Sequence, residues 1–153
     1  MEPSTRSITD ALVASRARVG VEEAFQLDCV AELIDRYQTV PALDIPGAER
    51  LVASGADGTP LVAEFLAAEL APLLGESIPS AWNLIHDVAN LRARHPRLWN
   101  AVHDGRVRVW QARQIAAQAA AAGLDVDAAR WVDARLEPAL GRLAWARLRR
   151  KTS

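Results

Sequence analysis

The amino-acid sequence predicts an all-α protein: a multi-helix orthogonal bundle of six to eight helices with a helix-turn-helix-like corner. Three observations carry this. Apolar residues recur at three- and four-residue spacing through most of the 153 residues. Half the residues are hydrophobic, enough to furnish a core, and Ala is abundant among them. Gly, Pro and capping residues punctuate the apolar runs, and no useful length alternates with period two.

Element by element, residues 1–7 read as frayed, and 8–18 as a short helix. Residues 21–40 form a stronger helical pattern. Val21, Phe25, Leu27, Val30, Leu33, Ile34 and Tyr37 recur on it, Glu22 and Glu23 suit its positive end, and Pro41 stops it. Cys29 falls in this apolar pattern and reads as core. Residues 41–60 hold three Pro and three Gly and read as a flexible connector with at most one helical turn near 47–54. The expected organisation is thus an N-terminal helical segment (1–40), a connector (41–60) and a helical domain (61–153).

In that last part, Thr59 and Pro60 suit the start of a helix running to Leu74, with Gly75 ending it. Ser77 opens a helix to about Arg94. His95-Pro96 breaks it, because a residue before Pro avoids helical backbone. Pro96 starts a short helix stopped by Gly105. An Ala-rich helix spans 107–122, ended by Gly123. Asp125 or Asp127 caps the next, which ends near Gly141. "RLAWARLRRK" reads as a last, basic amphipathic helix whose Leu143, Trp145 and Leu148 need a surface to pack on. Its abrupt end suggests a truncated C-terminus.

The net charge of −1 conceals a split. Residues 1–76 sum to −8 and residues 77–153 to +7. Such asymmetry accompanies nucleic-acid contact, or else two halves that attract each other. All but one of the basic side chains are Arg, the exception being Lys151, a bias that fits a GC-rich coding sequence. The single Cys rules out an internal disulfide and fits a reducing, cytoplasmic setting. No signal-peptide pattern opens the chain, and no apolar run is long enough to span a membrane.

The stretch "ELAPLLGESIPSAWNLI" (69–85) carries the most specific pattern. A helix-turn-helix needs a small residue in its first helix, a turn glycine and apolar locking positions. Ala71, Gly75, and Leu70, Leu74, Ala81, Leu84, Ile85 and Val88 fill those slots. Pro72 argues against it, costing about 3 kcal/mol inside an exposed helix. The outward face of the second helix would carry Ser80, Trp82, Asn83, His86, Asp87 and Asn90, with Ser77 past the turn. Asn can bond adenine in the major groove. Arg92, Arg94, Arg97, Arg106, Arg108 and Arg113 follow as phosphate contacts, or as a solvated face. The candidate DNA contacts are Ser77, Ser80, Trp82, Asn83, His86 and these six arginines.

Enzymatic signals are lacking. His86, His95 and His103 are nine and eight residues apart, which does not suit a helical metal pair. "SGADGTP" lacks the Lys-Ser/Thr and preceding strand of a phosphate loop. No strained nucleophile turn occurs. The sequence therefore suggests no catalytic residue, metal or cofactor.

Glu69-Leu70-Ala71, Leu74-Gly75, Ala81, Leu91, Pro96, Ala101, Gly105-Arg106-Val107, Ala112, Ile115-Ala116 and Leu148-Arg149-Arg150 together resemble an actinobacterial domain of unknown function, of the mycobacterial repeat family, that commonly precedes an HNH endonuclease domain. The likeness spans residues 61–150. It implies a helical, non-catalytic module with nuclease chemistry downstream. No position here matches the His-Asn-His of that nuclease, so no catalytic residue is carried over. Pro96, Gly105, Val107 and Ala112 also fall in an order similar to chromosome-partition proteins, an analogy of pattern only. Two expectations follow: a DNA-binding or targeting module for double-stranded DNA, or a protein-interaction or homodimerisation scaffold using the C-terminal apolar helix.

Overall fold

The computed structural model describes residues 1–141 and 150. Residues 142–149 and 151–153 are not described, so the expected C-terminal helix and its role as a partner surface lie outside the described residues. Among these, the chain is mostly helical, with six α-helices and one small hairpin.

A single helix, α1 (Thr5–Arg36), replaces the two expected in the first forty residues. Ser4 caps it, its hydroxyl accepting from the Ser7 N–H at 3.1 Å. Gly20 lies inside it; one such glycine costs about 1 kcal/mol, too little to divide a long helix. Leu27, Val30, Ala31 and Ile34 are buried at helical spacing. Cys29 falls out of phase with that line and is exposed, correcting its expected core position.

The expected connector contains a β-hairpin. Strands β1 (Leu51–Ala53) and β2 (Leu61–Ala63) pair antiparallel, with Val52 opposite Val62. Thr59 therefore caps no helix; its hydroxyl donates to the Ala56 carbonyl at 2.7 Å. The hairpin loop is pinned from outside. The Ala56 N–H donates to Asn90 Oδ1 at 2.8 Å, Arg94 donates to the Asp57 carbonyl at 2.8 Å, and Asp57 accepts from the Val126 N–H at 2.9 Å. These contacts leave Gly55 and Gly58 no room for a side chain: a Cβ would sit 2.5 Å from Asn90 Oδ1 and 2.6 Å from Val126, respectively.

The remaining punctuation works as the residues suggest. Helix α2 (Leu66–Leu74) starts after β2 and ends at Gly75, whose φ of 64° is left-handed. Pro72 sits near its C-terminal end without stopping it. Ser77 caps α3 (Ile78–Arg94) by accepting from the Ser80 N–H at 3.2 Å. His95 separates α3 from α4 (Pro96–His103). Helices α5 (Val109–Ala121) and α6 (Val126–Leu136) follow, the latter capped by Asp125, and a 3-10 turn closes at Ala139. Helix α3 touches each of the other five helices and is the axis of the core. Ala81, Ile85, Val88 and Leu91 on it are fully buried. No helix among the described residues is long and apolar enough to cross a membrane.

Candidate functional site

The α2–turn–α3 corner exists, with Leu70, Ala71, Ala81, Ile85 and Val88 buried at its crossing. Leu74, an expected locking residue, is instead exposed. A recognition helix must also protrude, because the major groove admits little more than the helix itself. Helix α3 does not protrude; it is flanked by the hairpin and α5. Its outer face floors shallow depressions lined by Val52, Ala53, Trp82, Asn83, His86 and Ala117.

Each candidate on that face has a definite place. Ser77 is exposed and occupied as the cap. The Ser80 hydroxyl donates to Glu76 at 2.8 Å. Trp82 is half-buried against the core, its ring 5.3 Å from that of His86. Burial pushes the His86 pKa below its ordinary value, with Asp87 opposing. Asn83 is exposed. Asn90, expected on the outward face, is buried and spent on the hairpin loop. Asp87 is largely buried; burial raises its pKa although Arg113 binds it at 2.7 Å.

The arginines are mostly engaged within the molecule. Arg92 grips Asp35 of α1 with both terminal nitrogens, at 2.9 and 2.6 Å. Arg94 is completely buried and donates to the carbonyls of Asp57 and Leu124 at 2.8 and 2.7 Å. Arg106 reaches Asp104 at 3.2 Å and Glu137 at 3.5 Å. Arg108 pairs with Glu23 of α1 at 3.0 Å, and Arg113 with Asp87. Arg97 is exposed, and its side chain has no hydrogen-bond or ion-pair partner among the described residues. The two halves of the charge split therefore meet: Asp35 and Glu23 of the acidic half hold Arg92 and Arg108 of the basic half.

His103 adds a third link to α1. Its Nδ1 faces the Trp99 carbonyl and its Nε2 faces Asp28, both at 2.8 Å. Two acceptors suit a doubly protonated ring. Burial opposes the charge, but the Trp99 carbonyl, Asp28 and Asp104 outweigh it and raise the pKa.

Sequence reasoning offers Arg94 as a phosphate contact and His95 as a helix break, and it misses the burial of both, along with Asp133 altogether. Asp133 accepts from the N–H groups of Arg97 and Leu98 at 2.9 and 3.0 Å, closing the exposed start of α4. Its only sequence signal is an acidic residue amid the apolar spacing of "WVDARL". Among the described residues no three of His, Cys, Asp or Glu converge to hold a metal ion.

The most unusual surface lies on α1. Its first buried residue is Ala24, yet Ile8, Leu12, Val13, Val19 and Val21 precede it, each 45–69 % exposed. Between this segment and the α4–α5 turn runs a groove of about 580 Å³. Leu12, Val13, Val21, Val102, Val107 and Val109 line it, with Arg16 and Arg108 also at its walls. Comparison of the chain with known protein families, curated proteins and solved structures finds no match.

Proposed function

We propose that this chain is a helical protein-interaction module and that the exposed half of α1 is its docking element. One observation carries this reading: residues 5–23 hold a helix about 28 Å long without a single buried side chain, while exposing five large aliphatic residues. An isolated helix of that length is marginal in water, and helices owe most of their stability to packing of an apolar face. Ile8, Leu12 and Val19 share one side of α1, and exposed apolar surface grouped in this way marks interaction sites. The internal pairing of Arg92, Arg94, Arg106, Arg108 and Arg113 supports the same reading, since these cations already have partners. The test is a photo-crosslinking residue at position 12, compared with one at position 130 on α6. Adducts from position 12 alone are expected; none from either position contradicts the reading.

A second reading, contact with double-stranded DNA, has support from Arg97, whose exposed side chain has no hydrogen-bond or ion-pair partner among the described residues, and from the exposed Asn83 beside the α2–α3 corner. Association with a downstream HNH nuclease rests on the sequence resemblance alone. Anisotropy of a labelled duplex tests the DNA reading: affinity falling steeply with salt favours it. Lack of binding at low salt rejects it.

A further inference from the structure

We infer that the outer face of α3 floors a binding site for a neutral, planar heterocycle with a hydrogen-bonding edge, the chemistry of a nucleobase. The site is separate from the docking surface of α1, because none of the described residues lining it belongs to that helix.

The depressions along α3 join into one cleft between the hairpin and α5. One shares Ala53, Asn83 and His86 with the central cavity, and another shares Asp87 and Ala117 with it. The central cavity holds about 430 Å³, a size that suits a small ligand. Small residues make the space: Ala53, Gly55 and Ala56 on the hairpin side, and Ala117 and Ala120 on α5. The floor is polar. Asn83, His86, Asp87 and Asn90 follow at helical spacing, which puts them on one face of α3.

This row keeps unspent hydrogen-bonding capacity. Asn90 is only 3 % exposed, so it is no solvated surface residue. Its Oδ1 accepts from the Ala56 N–H at 2.8 Å, which fixes the way the amide points. Its Nδ2 has no acceptor among the described residues and is not sealed into the core, so it opens on the cavity. Such a donor is costly to leave unmade, and a ligand acceptor satisfies it. Asp87 gives one oxygen to Arg113 at 2.7 Å and keeps the other as an acceptor. Neither ring nitrogen of His86 has a hydrogen-bond partner among the described residues, and neither is closed off as those of His95 are. Donors and acceptors thus stand together along one edge, as the rim of a base requires.

Trp82 supplies a flat surface. Its ring lies 5.3 Å from that of His86, at the end of the cleft where Asn83 is exposed. Any base can stack on such a ring, because every base has a π-face. Charge selects a neutral guest. Among the described residues lining the cleft, only Asp87 and Arg113 are charged at neutral pH, and they neutralise each other. Burial keeps the His86 ring neutral there. The hairpin and α5 keep a duplex off α3, whereas a single base fits between them.

Titration of the whole chain with adenosine, guanosine, cytidine and uridine, followed through the side-chain amide and indole N–H resonances, tests the site. At least one nucleoside should shift the Asn83, Asn90 and Trp82 signals. Asn83→Ala and Ala117→Leu change exposed side chains and should leave the fold intact. The first should weaken binding about tenfold. The second should abolish it by filling the cavity. Indole, which stacks but lacks the hydrogen-bonding edge, should bind more weakly than the best nucleoside. A short single strand that binds more tightly than its nucleoside assigns the base to a nucleic acid, and equal affinity assigns it to the free nucleoside. No shift with any nucleoside overturns the proposal, and so does binding that both variants leave unchanged.

Discussion

His95 Nδ1 lies 3.9 Å from Asp133 Oδ1, too far for a hydrogen bond, although both side chains are buried. Asp133 spends its oxygens on the α4 backbone, and both ring nitrogens of His95 are left without hydrogen-bond partners among the described residues. Burial, with the neighbouring Arg94 charge, lowers the His95 pKa to about 4.

This predicts an acid-sensitive fold. The folded ring stays neutral where the unfolded ring, with its ordinary value near 6.5, is protonated. The unfolded state then binds more protons, so stability falls as pH drops from about 6.5 to about 4, by roughly 2–3 kcal/mol. His103 works in the opposite sense. Its raised pKa gives stability that is present below the unfolded value and lost as pH rises through the folded one. Urea midpoints at pH 7.5 and 5 should therefore diverge. His95→Leu, which loses no hydrogen bond, should resist acid better than wild type, and His103→Gln should resist it less. Equal pH slopes in all three proteins would refute the assignment.

Arg94 and Arg97, three residues apart, should behave oppositely. Arg94→Ala strands the Asp57 and Leu124 carbonyls and opens a cavity, at an expected cost of about 3–5 kcal/mol. Arg97→Ala keeps the backbone N–H that Asp133 needs and should change stability by less than about 0.5 kcal/mol. Chemical denaturation measures both. Similar losses would show that Arg94 is not the tie between hairpin and bundle.

Two glycines should also part company. Among the described residues nothing lies within 4 Å of a Cβ at Gly20, so Gly20→Ala should stabilise α1 by about 0.5–1 kcal/mol. Gly58 has a φ of 90° and faces Val126, so Gly58→Ala should cost roughly 2–4 kcal/mol. Thermal melts of the two variants check the signs, which must differ.

Local chemistry explains what the sequence made legible. Gly75, Ser77, His95-Pro96, Gly105, Gly123 and Asp125 act on their immediate backbone, so the limits of α2 to α6 could be read within a few residues, except the start of α2. The hairpin could not, because three-residue strands are too short to display alternation. Its paired "LVA" segments were the available signal. The long α1 was divided in reading because Gly20 and the change in apolar phase look like a break. The fate of the arginines was least legible. Arg92 finds Asp35 57 residues away and Arg108 finds Glu23 85 residues away, distances over which a charge pattern says only that attraction is available. Cys29 shows the complementary failure: an apolar neighbourhood in sequence need not place a residue on the buried side of its helix.

Hydrogen exchange of the α1 amides tests the central claim most directly. Residues 5–22 should exchange quickly in the monomeric protein, because no packing holds them, and gain protection only when a partner covers the side carrying Ile8, Leu12 and Val19. The amides around Leu27 to Ile34 should be protected throughout. Protection of residues 5–22 equal to that of Leu27 to Ile34 in a strictly monomeric sample would contradict the docking role.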